Sequence, residues 1–212
     1  MKIISHRGYW KSPDEKNSEI AFKRSFDASF GLETDVRDQK GSLVISHDVP
    51  VGQPMNLMNL MELIGSYPDY EKLTLALNIK SDGLADMVGK LLSSFEGLDC
   101  FVFDMAIPDM RLYLQSGVPV FTRMSEVERD PVWLDRSAGI WLDSFELEWY
   151  TTDLVKDLLS HGKRVCVVSQ ELHGRQYEKQ WKKLRNIDDM NLMICTDYPD
   201  KAASYFMKDE ML

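Results

Sequence analysis

A chain of 212 residues with 44% hydrophobic content is long enough for one sizeable core and has the apolar content of an ordinary globular protein. With 25 Lys and Arg against 34 Asp and Glu, its net charge of −9 argues against nucleic acid or an anionic membrane surface as the main partner. The three cysteines (Cys100, Cys166 and Cys195) are odd in number, widely spaced and lie in or beside apolar runs, which predicts buried free thiols rather than disulfides or a zinc site. No apolar leader precedes His6, and no apolar run approaches the roughly 18 residues of a membrane span, so a cytoplasmic protein without stable membrane insertion is expected.

In chain order, the first predicted strand covers 2–7 and carries Ile3, Ile4, Ser5, His6 and Arg7 up to Gly8. A loop through Trp10 and Pro13 leads to Asn17-Ser18, which reads as a helix N-cap, and Ala21, Phe22, Ser25 and Phe26 follow at helical spacing. The second strand, roughly 32–37, alternates: Leu32, Thr34 and Val36 face one way, Glu33, Asp35 and Arg37 the other. Lys40-Gly41 turns into a third extended piece over 43–47 that ends in His47-Asp48. A Pro/Gly-rich loop over 49–54 precedes a helix carrying Leu57, Leu60, Met61 and Ile64. The next strand, 73–80, puts Ala76, Asn78 and Lys80 on one face, and a helix over 84–95 follows it. Beyond it the pattern predicts strands over 100–104, 118–122, 139–143, 164–169 and 192–196. The intervening helices are predicted over 109–116, near 126–135 (short, with a proline), 152–160 and 176–185, with a last one over 199–207.

Near-continuous apolar strands alternating with helices belong to a parallel sheet covered on both faces. Eight such units in one short chain predict a (β/α)8 TIM barrel, a single domain over 1–212. An open doubly wound sheet is disfavoured, because Gly8 stands alone and no glycine-rich phosphate loop follows the first strand. In a parallel barrel the residues at the carboxyl ends of the strands converge on one rim. Here those are His6, Glu33, Asp35, His47, Asn78, Lys80, Asp104, Asp143 and Gln170.

Two carboxylates two residues apart on one face repel unless a proton or cation sits between them, and oxygen ligands select a hard divalent ion, Mg²⁺ or Ca²⁺. Histidines suit acid and base work near neutral pH, each worth roughly 10²–10⁴-fold. Arg7 and Lys80 add fixed positive charge suited to a phosphate-like substrate. His161 sits at a helix C-terminus beside Gly162 and reads as structural. His173 lies on the loop after the strand over 164–169, a place that often contacts phosphate in barrels. Trp10 either covers the ligand or packs the first loop.

Taken together, the ordered set His6-Arg7-Gly8, Asn17-Ser18 with Ala21-Phe22, Gly31-x-Glu33-x-Asp35-Val36, Gly41-x-x-Val44-x-x-His47-Asp48, Asn78-Ile79-Lys80 and Thr196-Asp197-Tyr198-Pro199 resembles the glycerophosphodiester phosphodiesterase family. The resemblance runs over nearly the whole chain and implies a TIM barrel that hydrolyses a small glycerol- or polyol-phosphodiester with one divalent cation. It implies His6 and His47 as the acid/base pair, Glu33, Asp35 and Asn78 as metal ligands, and Arg7 and Lys80 as neutralisers of phosphate charge. Asp104, His173 and Trp10 are further candidates for contact with substrate. Asn78 stands where the family has a glutamate, with Asp104 as a candidate to compensate, and the short 49–54 loop replaces a sizeable family insertion. The alternatives are a catalytically attenuated phosphodiester-binding barrel and a phospholipase-type phosphodiesterase acting on lipid headgroups. The oligomeric state is not legible.

Overall fold

A computed structural model describes residues 1–206 of the chain. Eight parallel strands and seven α-helices alternate around it. They are β1 (Lys2–His6), α1 (Glu19–Asp27), β2 (Gly31–Gln39), α2 (Leu57–Gly65), β4 (Thr74–Ile79), α3 (Ala85–Leu92), β5 (Asp99–Phe103), α4 (Ile107–Ser116), β6 (Phe121–Met124), β7 (Gly139–Leu142), α5 (Thr152–Ser160), β8 (Arg164–Val168), α6 (Glu178–Leu184), β9 (Leu192–Thr196) and α7 (Pro199–Phe206). A ninth strand, β3 (Ser42–Ile45), turns back antiparallel on the end of β2. The strands follow one another as β5-β4-β2-β1-β9-β8-β7-β6, and a parallel bridge between Val102 and Val120 joins the two ends into a nearly closed (β/α)8 barrel.

Period-two alternation decides which side chains fill the barrel. Ile4, Ala76, Phe101, Phe103, Phe121, Trp141, Cys166, Val168, Met193 and Cys195 form the interior cluster. Phe101 stacks on Phe121 at 3.6 Å and Phe103 on Trp141 at 3.7 Å, so the interior is a packed core and not a channel. The opposite faces meet the helices, as Leu32 and Val36 do beside Phe22 and Leu60. Strand β2 adds no apolar residue to the interior cluster; on the face away from Leu32 and Val36 it places buried Glu33 and Asp35. All three cysteines are buried and free.

Two expectations need correction. No helix forms near 126–135: the crossover from β6 to β7 is a run of turns with an isolated Ser125–Glu128 bridge. Pro131 interrupts the segment, the Thr122 hydroxyl takes the Val132 carbonyl at 2.8 Å, and Trp133 sits at a left-handed φ of 51°. Asn17 is not the cap of α1; Ser18 is, its hydroxyl accepting from the Ala21 amide. Residue 207, assigned from the pattern to the last helix, lies outside the described residues, as does the rest of the 1–212 domain beyond 206. The chain passes from β3 to α2 through residues 46–56 with no inserted element.

Candidate active site

At the carboxyl end of the barrel the inward rows of seven strands run out into polar residues. His6 follows Ile4, Glu33 and Asp35 lie on β2, Asn78 follows Ala76, Arg123 follows Phe121, Asp143 follows Trp141, Gln170 follows Val168 and Asp197 follows Cys195. The same alternation that fills the interior with apolar groups therefore delivers a polar ring to one rim.

His6, Arg7, Glu33, Asp35, Asn78 and Lys80 form one cluster on β1, β2 and β4. Asp35 is paired in register with Asn78, and His6 with Glu33. Arg7 Nε lies 2.9 Å from Asp35 Oδ2, and Lys80 Nζ 3.5 Å from Oδ1. Neither contact is aligned as a hydrogen bond: Arg7 Nε and Asp35 Oδ1 are both buried without a hydrogen-bond partner among the described residues. Arg7 reaches this position through a left-handed φ of 55°, which also turns its amide to Glu33 Oε2 at 3.1 Å. Gly8 is required next to it. Its φ is +87°, and a Cβ there would lie 2.7 Å from Ala21 Cβ, so the loop could not close onto α1 with any side chain present.

His6 Nδ1 is 2.7 Å from Asp197 Oδ1, and its Nε2 is 3.9 Å from Glu33 Oε2. A carboxylate only accepts, so Nδ1 is the donor and Nε2 is left toward the cluster. Burial opposes ionisation of Asp197, but the hydrogen bond and charge of His6, with Lys16 3.8 Å away, hold its carboxyl below the usual range. Glu33 behaves oppositely. Burial, then the charge of Asp35, pushes its pKa up to about 7, against the pull of His6, Arg7 and Lys80.

Asn78 donates Nδ2 to Asp104 Oδ2 at 3.3 Å, which leaves its Oδ1 buried and unpartnered. Glu33, Asp35 Oδ1 and Asn78 Oδ1 make an oxygen-only donor set that fits a hard divalent cation. Among the described residues no group of three or more His, Cys, Asp or Glu is placed to hold a metal ion, so the set depends on the amide of Asn78. Asp104 does not supply the missing carboxylate: Arg123 holds its Oδ1 at 2.9 Å.

The other candidates are dispersed. His47 is half-exposed with Nδ1 on Asp48 at 2.9 Å, and its carbonyl accepts from Arg37 Nε. The preceding residue, Ser46, is tied to β2 through its amide, which donates to the Asp35 carbonyl at 3.1 Å. His173 lies across the rim, Nε2 on Asp143 at 2.7 Å. Trp10 lies beneath Lys16, whose Nζ is 4.5 Å from the ring centre.

Three contributors escaped the sequence reading as site residues: Asp197, Asn17 and Arg123. Asn17, at φ 58°, donates to Asp35 Oδ2 at 2.8 Å and accepts from the Thr34 hydroxyl at 2.8 Å, so it positions the carboxylate from a loop. The signal available for Asp197 was its place two residues beyond an inward cysteine.

Neither a protein-family model nor any curated protein matches the chain. Solved structures do. A glycerophosphodiester phosphodiesterase from Agrobacterium tumefaciens aligns at a TM-score of 0.71 and 16% identity, covering 97% of this chain and 98% of that one. One from Thermotoga maritima aligns at 0.63 and 18%, covering 95% and 97%. A Ca²⁺-dependent phosphatidylinositol-specific phospholipase C from Streptomyces antibioticus aligns at 0.62 and 10%, covering 97% and 96%. The chain thus has the fold of the glycerophosphodiester phosphodiesterase and phospholipase C barrels over its described length.

Proposed function

We propose that the chain is a phosphoric diester hydrolase of the glycerophosphodiesterase type, acting on a small glycerol- or polyol-phosphodiester. The observation that carries this reading is the pairing of an Asp-held histidine, His6, with buried Glu33 and Asp35 on the neighbouring strand, beside Arg7 and Lys80. Arg7 and Lys80 bring to this partly buried site the positive charge that a phosphoryl group needs as negative charge builds on its oxygens.

In this reading Arg7 and Lys80 hold the phosphate oxygens. A hydroxyl of the substrate next to the ester oxygen attacks phosphorus. The bond from phosphorus to the leaving alcohol breaks. One of His6 and His47 takes the proton of the attacking hydroxyl, and the other gives a proton to the departing oxygen. Water then opens the cyclic phosphate with the two roles reversed. Asp197 keeps His6 in the tautomer with Nε2 toward the cluster. Glu33, Asp35 and Asn78 would hold Mg²⁺ or Ca²⁺, which supplies additional positive charge to the phosphoryl oxygens.

The test is turnover of the 4-nitrophenyl phosphodiester of glycerol with and without EDTA. Chelation is expected to suppress the rate, and His6→Ala to lower kcat roughly 10²–10⁴-fold. A rate untouched by both changes overturns the proposal. One observation favours a second reading, a phosphodiester-binding barrel with attenuated turnover: Asn78 brings no charge, and Asp35 is already flanked by two cations. Calorimetric binding of that ester with no product after long incubation with Mg²⁺ or Ca²⁺ would select it. No helix among the described residues is long and apolar enough to cross a membrane.

A further inference from the structure

The phosphate-facing cluster occupies only one side of the rim. In the ring of eight strands β8 stands four positions from β4, and β7 four positions from β2. Gln170, after β8, therefore faces Asn78 across the mouth, and Asp143, after β7, faces Asp35.

Gln170 is buried, yet its Nε2 has no hydrogen-bond partner among the described residues. Its aim follows from the strand. Cys166 and Val168 point inward, while the Ser169 hydroxyl turns out to Trp181 Nε1 at 2.8 Å, so the next side chain returns to the mouth. Its backbone is fixed on both sides, the amide donating to Gln180 Oε1 at 3.1 Å and the carbonyl accepting from Arg175 N at 3.1 Å. Gln180 shows what a structural glutamine looks like here: its Nε2 is spent on Tyr150 Oη at 2.6 Å and the Val168 carbonyl at 2.8 Å. Gln170 is held as firmly and left with a free donor, an arrangement that costs stability unless a ligand completes it.

Its surroundings set the chemistry of that ligand. Asp143 Oδ1 accepts from His173 Nε2 and from the Ser144 amide, both at 2.7 Å. Glu171 accepts from the Ser169 and Thr196 hydroxyls and from the Asp197 amide. His173, with Nε2 on Asp143, keeps Nδ1 as its remaining polar atom, and the Phe145 ring stands edge-on to it at 5.6 Å.

We infer that Gln170 and His173 are specificity residues that bind the hydroxyls of the alcohol carrying the phosphate, so that the substrate spans the mouth with phosphate at Arg7 and Lys80 and a polyol at Gln170. This rests on the phosphodiesterase reading above and adds to it which residues choose the alcohol.

The experiment compares two esters that both carry an attacking hydroxyl, the 4-nitrophenyl phosphodiesters of glycerol and of ethane-1,2-diol, which differ by one hydroxymethyl group. The ratio of their kcat/KM values is expected to favour glycerol and to fall about five- to tenfold in Gln170→Leu, the size of one neutral hydrogen bond. His173→Asn is expected to lose part of the same selectivity. A ratio unchanged in Gln170→Leu, or a wild-type protein that does not distinguish the two esters, overturns the inference. Calorimetry with glycerol 1-phosphate and 2-hydroxyethyl phosphate separates it from the hydrolase reading. Preferential binding of the former that depends on Gln170, without hydrolysis of either diester, leaves the inference standing and removes the hydrolase. Turnover or binding without that preference does the reverse.

Discussion

The two ends of the barrel use similar residues to opposite ends. At the amino end Asp99 opens β5 and gathers the first residues of three other strands. Lys2 Nζ lies at 2.9 Å, the Thr74 hydroxyl at 2.6 Å and the Arg164 guanidinium at 2.8 Å. Burial works against the charge of Asp99, but those hydrogen bonds outweigh it and hold the carboxyl below its usual range. Arg164 also lies over the interior rings of Phe101 and Phe121, 5.7 and 5.4 Å from their centres. At the carboxyl end Asp35 likewise meets two cations, yet it keeps an unpartnered oxygen beside Asn78 Oδ1, and Glu33 is pushed toward the neutral form. One end is a closed ion network that fastens the barrel. The other holds its charges without satisfying them, which is what a site awaiting a ligand looks like.

That contrast can be broken by mutation. The largest effect is expected from Asp99→Ala, which leaves Lys2 and Arg164 without their shared carboxylate; unfolding in denaturant should show a loss of about 3 kcal/mol. The sign of its pH dependence is fixed: the folded pKa of Asp99 is depressed, so its contribution is present above the unfolded carboxyl value and is lost as pH falls through the folded one. A variant as stable as wild type would refute the fastening role.

Glu33→Gln should act the other way. The folded pKa of Glu33 is raised to about 7, so keeping it ionised costs stability, and that cost grows from the unfolded value near 4.5 up to 7 and is full above it. Without divalent cations the variant is expected to be more stable than wild type by about 1–3 kcal/mol at pH 8 and indistinguishable at pH 4, read from melting curves at the two pH values. A lower melting temperature for the variant at pH 8 would show that the site carries no such cost.

The smallest effect concerns Asn78. Asn78→Glu adds a third carboxylate to the donor set but sets it against Asp104, whose Oδ2 now accepts a hydrogen bond from Asn78 Nδ2 at 3.3 Å. It is expected to lower the melting temperature of the cation-free protein and to raise affinity for Ca²⁺ or Mg²⁺ about tenfold, a change of about 1.4 kcal/mol. Titration calorimetry showing unchanged or weaker affinity would remove Asn78 from the metal site.

Much of this was legible in the chain because strand periodicity is a local property. Alternation in Leu32–Arg37 separated the faces of β2, and Ala76 and Asn78 shared one face for the same reason. The missing helix near 126–135 shows the limit: the regular alternation of strand and helix calls for one there, but the link from Thr122 to Val132 is a tertiary contact that no window of sequence reveals.

By itself the sequence determined the barrel, its buried thiols and the rim on which His6, Glu33, Asp35 and Asn78 gather, since each follows from spacing along a single strand. Only the tertiary structure decided the partners: Asp197 beneath His6, Asn17 and Arg7 on Asp35, Asp104 drawn to Arg123, and Gln170 left unpaired opposite Asn78. Hydrogen bonds and ion pairs act over a few ångströms in space, between residues as far apart in the chain as His6 and Asp197, and the closure of the ring sets those distances.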